Sequence, residues 1–159
     1  MFELGRFYDH GKGVPVDYEE AFKWYKRAAD LEYLEAEALV GVMYAKGLGV
    51  PEDRKEAFKW HQRAAAKGHS DAQVWLATAY LNSLGVLHDY KEAFKWYRQA
   101  AENGNADGQI GLGFAYASGI GVPIDEKEAR KNFMLAANQG HTFAQLVLGE
   151  GLEPTVTVT

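Results

Sequence analysis

The chain has 159 residues, 47% of them hydrophobic and 25% charged, with a net charge of −5. Those are ordinary globular values, which exclude a chain that is one long acidic or basic disordered tail. Basic residues are spread along the whole length, so the basic face that nucleic acid needs is not expected, and the absence of cysteine excludes a disulfide framework, a thiolate nucleophile and a cysteine zinc site.

The first helical pattern, from Met1-Phe2-Glu3-Leu4-Gly5-Arg6 to His10, has no charged leader ahead of an apolar block, so no signal peptide is visible. It starts part-way through a repeating unit, which fits a segment of something longer. Gly11-Lys12-Gly13-Val14-Pro15 closes it as a turn, the glycines supplying positive φ and the proline stopping the helix. The next helix opens at Asp17, with Glu20 three residues on. That is the spacing of a capping box, in which the Asp carboxylate accepts amide hydrogens and the Glu reaches back. Ala21, Phe22, Trp24, Tyr25, Ala28 and Ala29 then fall on one apolar helical face.

The phrase Glu20-Ala21-Phe22-Lys23-Trp24-Tyr25 returns every 36 residues, at Glu56-Ala57-Phe58-Lys59-Trp60-His61 and Glu92-Ala93-Phe94-Lys95-Trp96-Tyr97. A degraded fourth copy reads Glu128-Ala129-Arg130-Lys131-Asn132-Phe133. Gly68, Gly104 and Gly140 stand where three of these helices end in the left-handed conformation; Glu32 takes that slot in the first copy, which predicts a looser or longer helix end over 31–34. Between them runs a second pattern, Ala36…Val40-Gly41…Tyr44, Ala72…Leu76-Ala77…Tyr80, Gly108…Leu112-Gly113…Tyr116 and Ala144…Leu148-Gly149, whose small residue lets a neighbouring helix approach closely. The third turn, Ser83-Leu84-Gly85-Val86-Leu87, lacks one glycine and the proline and is predicted to be more variable than its counterparts.

A fixed period without insertions means stacked helix pairs, none able to bury its apolar face alone. The expected fold is an all-α solenoid over residues 1–152, with a disordered tail over 153–159 that alternates like a strand but has no partner strand. No stretch approaches the length of a membrane-spanning helix, so membrane insertion is not expected.

The combination A-x-x-x-L-G-x-x-Y-x-x-G-x-G-V-x-x-D-x-x-E/K-A-x-x-W-Y-x-x-A-A-x-x-G resembles the Sel-one-like repeat (SLR), a longer relative of the tetratricopeptide repeat (TPR), over roughly residues 1–151. The resemblance implies an α/α right-handed superhelix and an adaptor role, since members are mostly adaptors in bacterial and eukaryotic signalling, secretion and protein quality control. Some secreted bacterial members carry a disulfide in each repeat, and this cysteine-free chain departs from that branch. Its lack of cysteine fits a cytoplasm without requiring one, and a periplasmic location fits a piece of a secreted protein.

No catalytic residue, cofactor or metal is expected. The four D-x-x-E pairs (17/20, 53/56, 89/92, 125/128) read as caps rather than paired catalytic carboxylates, because each opens a helix. His10, His61, His69, His88 and His141 show no three- or four-residue ligand spacing. Gly11-Lys12-Gly13 lacks the rest of a phosphate loop, and Gly111-Leu112-Gly113 is followed by Tyr116 where a dinucleotide fingerprint needs glycine. The Phe-Lys-Trp-Tyr stripe reads as inter-helix core, with Lys23, Lys59 and Lys95 laying their stems over it.

Function is therefore expected on a surface. In TPR-like solenoids the first helix of each pair lines the concave face, and positions that vary there are candidates for recognition. They are Phe2, Arg6, Asp9 and His10; Glu35, Ala38, Val42, Ala45 and Lys46; Asp71, Val74, Thr78, Leu81 and Asn82; Asp107, Ile110, Phe114, Ala117 and Ser118; and Phe143, Leu146 and Glu150. Val74, Thr78, Leu81, Ile110, Phe114 and Leu146 are the expected partner-binding strip, with Asp71, Asp107 and Glu150 on its acidic rim. They suit an amphipathic or extended protein segment with some basic character. The alternative is that several of these side chains are packed between adjacent first helices. Trp75 either fills space beside Gly111 or serves as an exposed anchor. Two further functional readings stand beside the scaffold: end-to-end self-assembly through Phe143, Val147 and Leu148, and a hydrolase acting on cell-wall or antibiotic-like substrates, for which no catalytic set is visible.

Overall fold

The computed structural model describes residues 1–11 and 13–149. Lys12, the expected tail and the Glu150 part of the predicted rim lie outside the described residues. Within them the fold is all-α, with helices α1 (Phe2–His10), α2 (Tyr18–Asp30), α3 (Leu34–Lys46), α4 (Arg54–Ala66), α5 (Ser70–Asn82), α6 (Tyr90–Glu102), α7 (Ala106–Ser118), α8 (Glu126–Asn138) and α9 (Thr142–Leu148). They group into two compact units, Met1–His88 holding α1 to α5 and Asp89–Thr159 holding α6 to α9. In each unit every helix packs on the next in the chain.

The capping residues work as the D-x-x-E spacing implies, but only in one direction. The carboxylates of Asp17, Asp53, Asp89 and Asp125 accept from the amides of Glu20, Glu56, Glu92 and Glu128 at 3.0, 3.0, 3.1 and 3.0 Å. The Glu side chains point the other way, each pairing with the lysine three residues on: Lys23, Lys59, Lys95 and Lys131. A lysine one turn ahead competes successfully for the carboxylate that a capping box would send back. The capping Asp residues also staple the preceding turn, since the Asp17, Asp53 and Asp125 amides donate to the Tyr8, Tyr44 and Tyr116 carbonyls at 3.0, 2.9 and 3.0 Å.

The first copy corrects the expected loose end over 31–34. α2 stops after 13 residues, as α4, α6 and α8 do. Glu32 adopts φ 63°, the left-handed region that Gly68, Gly104 and Gly140 occupy in the other copies. The reason is the hydrogen bonding around it: the Glu32 and Tyr33 amides donate to Ala29 and Ala28, as those of Gly68 and His69 donate to Ala65 and Ala64. Two terminal hydrogen bonds outweigh the roughly 1–2 kcal/mol that an L residue loses there. In the third turn Ser83 takes φ 58°, the left-handed region that Gly47 and Gly119 occupy in its counterparts, and the Gly85 amide donates to the Ser83 carbonyl at 3.1 Å. Gly85 is required for contact as well as conformation, because a Cβ on it would sit 2.2 Å from the Arg54 carbonyl oxygen.

Each core layer carries one deep ring from the second helix of a pair: Tyr25, His61, Tyr97 and Phe133 are all buried. Small residues make room for them. A Cβ at Gly5, Gly41 or Gly113 would come within 2.6–2.8 Å of the rings of Tyr25, His61 and Phe133 respectively. A second ring pair recurs, Phe22–Tyr44, Phe58–Tyr80 and Phe94–Tyr116, edge-to-face at 5.3–5.4 Å between centroids. The stripe that the sequence assigns to the core is thus core, with its deepest member one residue past the tryptophan.

Candidate functional site

The first unit carries a groove of about 520 Å³ between the first helices α1, α3 and α5. Phe2, Leu39, Val42 and Trp75 supply its apolar wall, Ala38, Ala45 and Ala72 leave it open, and Glu35, Lys46, His69 and Asp71 stand at its rim. Residues of α3 reach it because positions 35, 38, 42, 45 and 46 recur at three- and four-residue steps and so share one face. This size lies in the range of sites that enclose a small ligand or a few side chains.

The wall is held by a ring stack. Trp75 lies flat on His61, with centroids 4.3 Å apart and 24° between planes. His61 is wedged between that indole and Gly41, where a Cβ would touch its Nε2 at 2.8 Å. It is 2% exposed, and neither ring nitrogen has a hydrogen-bond partner. Burial, and to a lesser degree His69, lowers its pKa to about 3, so the imidazole is neutral. The other reading of Trp75, as filler beside Gly111, is corrected: the space at Gly111 is taken by Tyr97, whose ring would lie 2.3 Å from a Cβ there.

Of the predicted strip, Asp71 lines the groove, whereas Val74, Thr78 and Leu81 are half-buried along α5 outside its lining. The Thr78 hydroxyl donates to the Val74 carbonyl of its own helix at 3.0 Å. In the second unit, Ile110 packs on the Ala136–Ala137–Ala144 cluster between α8 and α9. Phe114 is 39% exposed and meets Phe133 edge-on at 5.2 Å and Phe143 at 5.9 Å. Leu146 is exposed, and Asp107 is tied to His141 Nε2 at 3.2 Å. Phe2, Glu35, Ala38, Val42, Ala45 and Lys46, which line the groove, are among the first-helix candidates that the sequence names. Trp75 stands among the candidates as an exposed anchor, whereas Leu39, His61, His69 and Ala72 do not; one signal for His61 exists, since His61 and Trp75 keep the 14-residue spacing of Tyr97 and Gly111 with the large and small members exchanged.

Two other polar features of the first unit are structural. Glu37 is fully buried and accepts from Arg63 at 2.8 Å and Lys67 at 3.0 Å, while its counterpart Gln73 donates to the Ala65 carbonyl at 3.1 Å. Tyr25 donates its hydroxyl to Asp9 at 3.1 Å, and burial followed by the Asp9 charge pushes its phenol pKa up. Among the described residues, no cluster of His, Asp and Glu has the arrangement of a metal site, and no helix is long and apolar enough to cross a membrane.

A family model described as Sel1 repeat matches residues 1–33, 34–69, 70–105 and 106–141. Among solved structures, the chain is similar to a protective antigen present in uropathogenic Escherichia coli strains that displays an SLR fold. That pair is 40% identical with a TM-score of 0.90, over 94% of this chain and 32% of that one. A Sel1 repeat protein from Oxalobacter formigenes is 34% identical with a TM-score of 0.88, over 94% of this chain and 59% of that one. The chain therefore spans less than two thirds of either relative. Helicobacter pylori cysteine rich protein B shares the fold at 24% identity and a TM-score of 0.66, over 83% of this chain and 95% of that one. A comparison with curated proteins finds no match.

Proposed function

This chain belongs to the Sel1-repeat family, and from that premise we propose that it is a non-enzymatic scaffold holding a protein or peptide segment in the groove between α1, α3 and α5. Sel1-repeat proteins are generally non-catalytic scaffolds that bind other proteins. The observation that carries the finer reading is the groove itself, an apolar wall with a charged rim opening on the first helices of three successive repeats. Concave, mostly apolar surfaces with a few polar groups at the edge are where segments dock. In the second unit, Phe114 and Leu146, with Ile110 and Asp107, offer a separate first-helix face for contact with a partner.

Val42→Glu puts a charge on the groove wall. It should abolish retention of bound protein on an immobilised chain and leave helicity by circular dichroism nearly unchanged. Retention equal to the parent's would end the groove reading. A second reading, self-assembly, is favoured by the 44% and 43% exposure of Phe143 and Val147 on α9. Light scattering across a concentration series tests it: growth in mass that Val147→Glu removes supports assembly, and a constant monomer mass rules it out.

A further inference from the structure

We propose that the groove of the first unit is a receptor for a basic side chain, arginine or lysine, carried by an extended peptide, with the cation set on the face of Trp75 and drawn there by the carboxylates of Glu35 and Asp71. The inference rests on the groove reading above and names the chemistry of its occupant.

The first support is the cost of the wall. A buried polar group without a partner bears a desolvation cost that no hydrogen bond offsets, and His61 is such a group on both nitrogens. The equivalent positions Tyr25, Tyr97 and Phe133 carry larger rings. What the smaller ring provides is room for an indole to lie flat over it, which Gly111 in the Tyr97 layer does not supply. The exchange thus places an aromatic face on the groove. The imidazole beneath is uncharged, so no positive charge on one side of the indole opposes a cation on the other.

Charge supplies the direction. Glu35 and Asp71 stand in the first turns of α3 and α5, both exposed, and Asp71 is four residues before Trp75, hence one turn away on the same face. Lys46 closes the opposite end of α3, on the order of 16 Å away by helix rise. A ligand with its positive group towards Glu35 matches this polarity, and one with the reverse charge order meets like charges at both ends. Phe2, Leu39 and Val42 cover the aliphatic stem that arginine or lysine brings with it. Trp60 of the same unit shows the interaction internally, with Arg63 at 4.5 Å and Lys26 at 5.0 Å from its ring centroid.

The test is a selection of displayed random twelve-residue peptides on the immobilised full chain. Each peptide is then measured by calorimetry against the parent and against groove variants. Peptides that depend on the groove lose binding to Val42→Glu; Ala45→Glu, at a half-exposed position, repeats the block should Val42→Glu unfold. The expected peptides carry arginine or lysine beside apolar residues. Replacing that residue by citrulline or norleucine, uncharged but similar in reach, should weaken them about tenfold, and Trp75→Leu by a similar factor. Glu35→Gln with Asp71→Asn should weaken them more at low salt than at high salt. Groove-dependent peptides that lack a basic residue, or that bind equally well after neutralisation, overturn the inference and leave the groove reading standing. Peptides indifferent to every groove variant overturn both.

Discussion

The layer around His61 in the first unit and the layer around Tyr97 in the second are built from equivalent positions and filled in opposite ways. In one, an imidazole lies under the indole of Trp75 at 4.3 Å. In the other, a phenol ring meets a glycine so closely that a Cβ at Gly111 would sit 2.3 Å from it. The 14-residue spacing between partners is the same, and the large residue has moved from the second helix of one repeat to the first helix of the next. The lesson is that the period specifies backbone geometry, while the distribution of bulk within a layer decides what reaches the surface. Trp75 lines a groove; Gly111 serves only to admit Tyr97.

Forcing the residue of one layer onto the other should give the largest effect. Gly111→Trp places an indole where Tyr97 already stands. Overpacking costs roughly 1–3 kcal/mol, and here the Cβ alone overlaps, so a loss above about 3 kcal/mol is expected in urea unfolding. An unchanged midpoint would mean that Tyr97 yields its place freely. Trp60→Ala comes next at about 3–5 kcal/mol, because Trp60 is 6% exposed and bracketed by Lys26 and Arg63. Trp96→Ala in the second unit should cost less, its ring being half-buried. Equal losses would erase this contrast between the units.

A smaller difference is expected with pH. His61 has its pKa moved from 6.5 down to about 3, chiefly by burial. Between those values the unfolded chain binds a proton that the native chain does not. The stability contribution is therefore complete above pH 6.5 and is lost as pH falls towards 3, with a slope of at most about 1.4 kcal/mol per pH unit. His61→Gln should flatten the unfolding free energy between pH 6.5 and 4.5 relative to the parent; parallel curves would show that His61 is protonated in the folded chain. The smallest effect should be a gain. Glu32→Gly matches the first helix end to those at Gly68, Gly104 and Gly140, and should stabilise by about 0.5–1 kcal/mol. A loss of stability would show that Glu32 makes contacts that outweigh its left-handed backbone.

The comparison also explains what could be read in advance. Caps, turns and the apolar stripe are local, so the recurrent Asp17, Asp53, Asp89 and Asp125 and the ring pairs headed by Phe22, Phe58 and Phe94 follow from spacing alone. Glu32 misled because residue preference was weighed without the two helix-end hydrogen bonds that overrule it. The Glu of each D-x-x-E misled because Lys23 and its counterparts compete for the same carboxylate. Trp75 was paired with Gly111 because both stand out in one column of the repeat. In the folded chain each partner belongs to the preceding second helix instead, His61 for one and Tyr97 for the other. The strip expected from the sequence runs through Val74, Phe114 and Leu146, and of its described residues and rim only Asp71 lines the groove. Glu35, Val42 and Lys46 are further first-helix candidates, while the indole wall depends on a ring size in another helix.

The most direct measurement is a double-mutant cycle on the first unit, with urea unfolding of His61→Tyr, Trp75→Gly and the two combined. Each single change should destabilise, one by crowding the indole and the other by emptying its space. Together they recreate the Tyr97–Gly111 arrangement and recover at least about 1 kcal/mol relative to the sum of the singles. Losses that add to within about 0.5 kcal/mol would contradict it, because the two positions would then be independent and Trp75 would owe its place on the groove to something other than the ring beneath it.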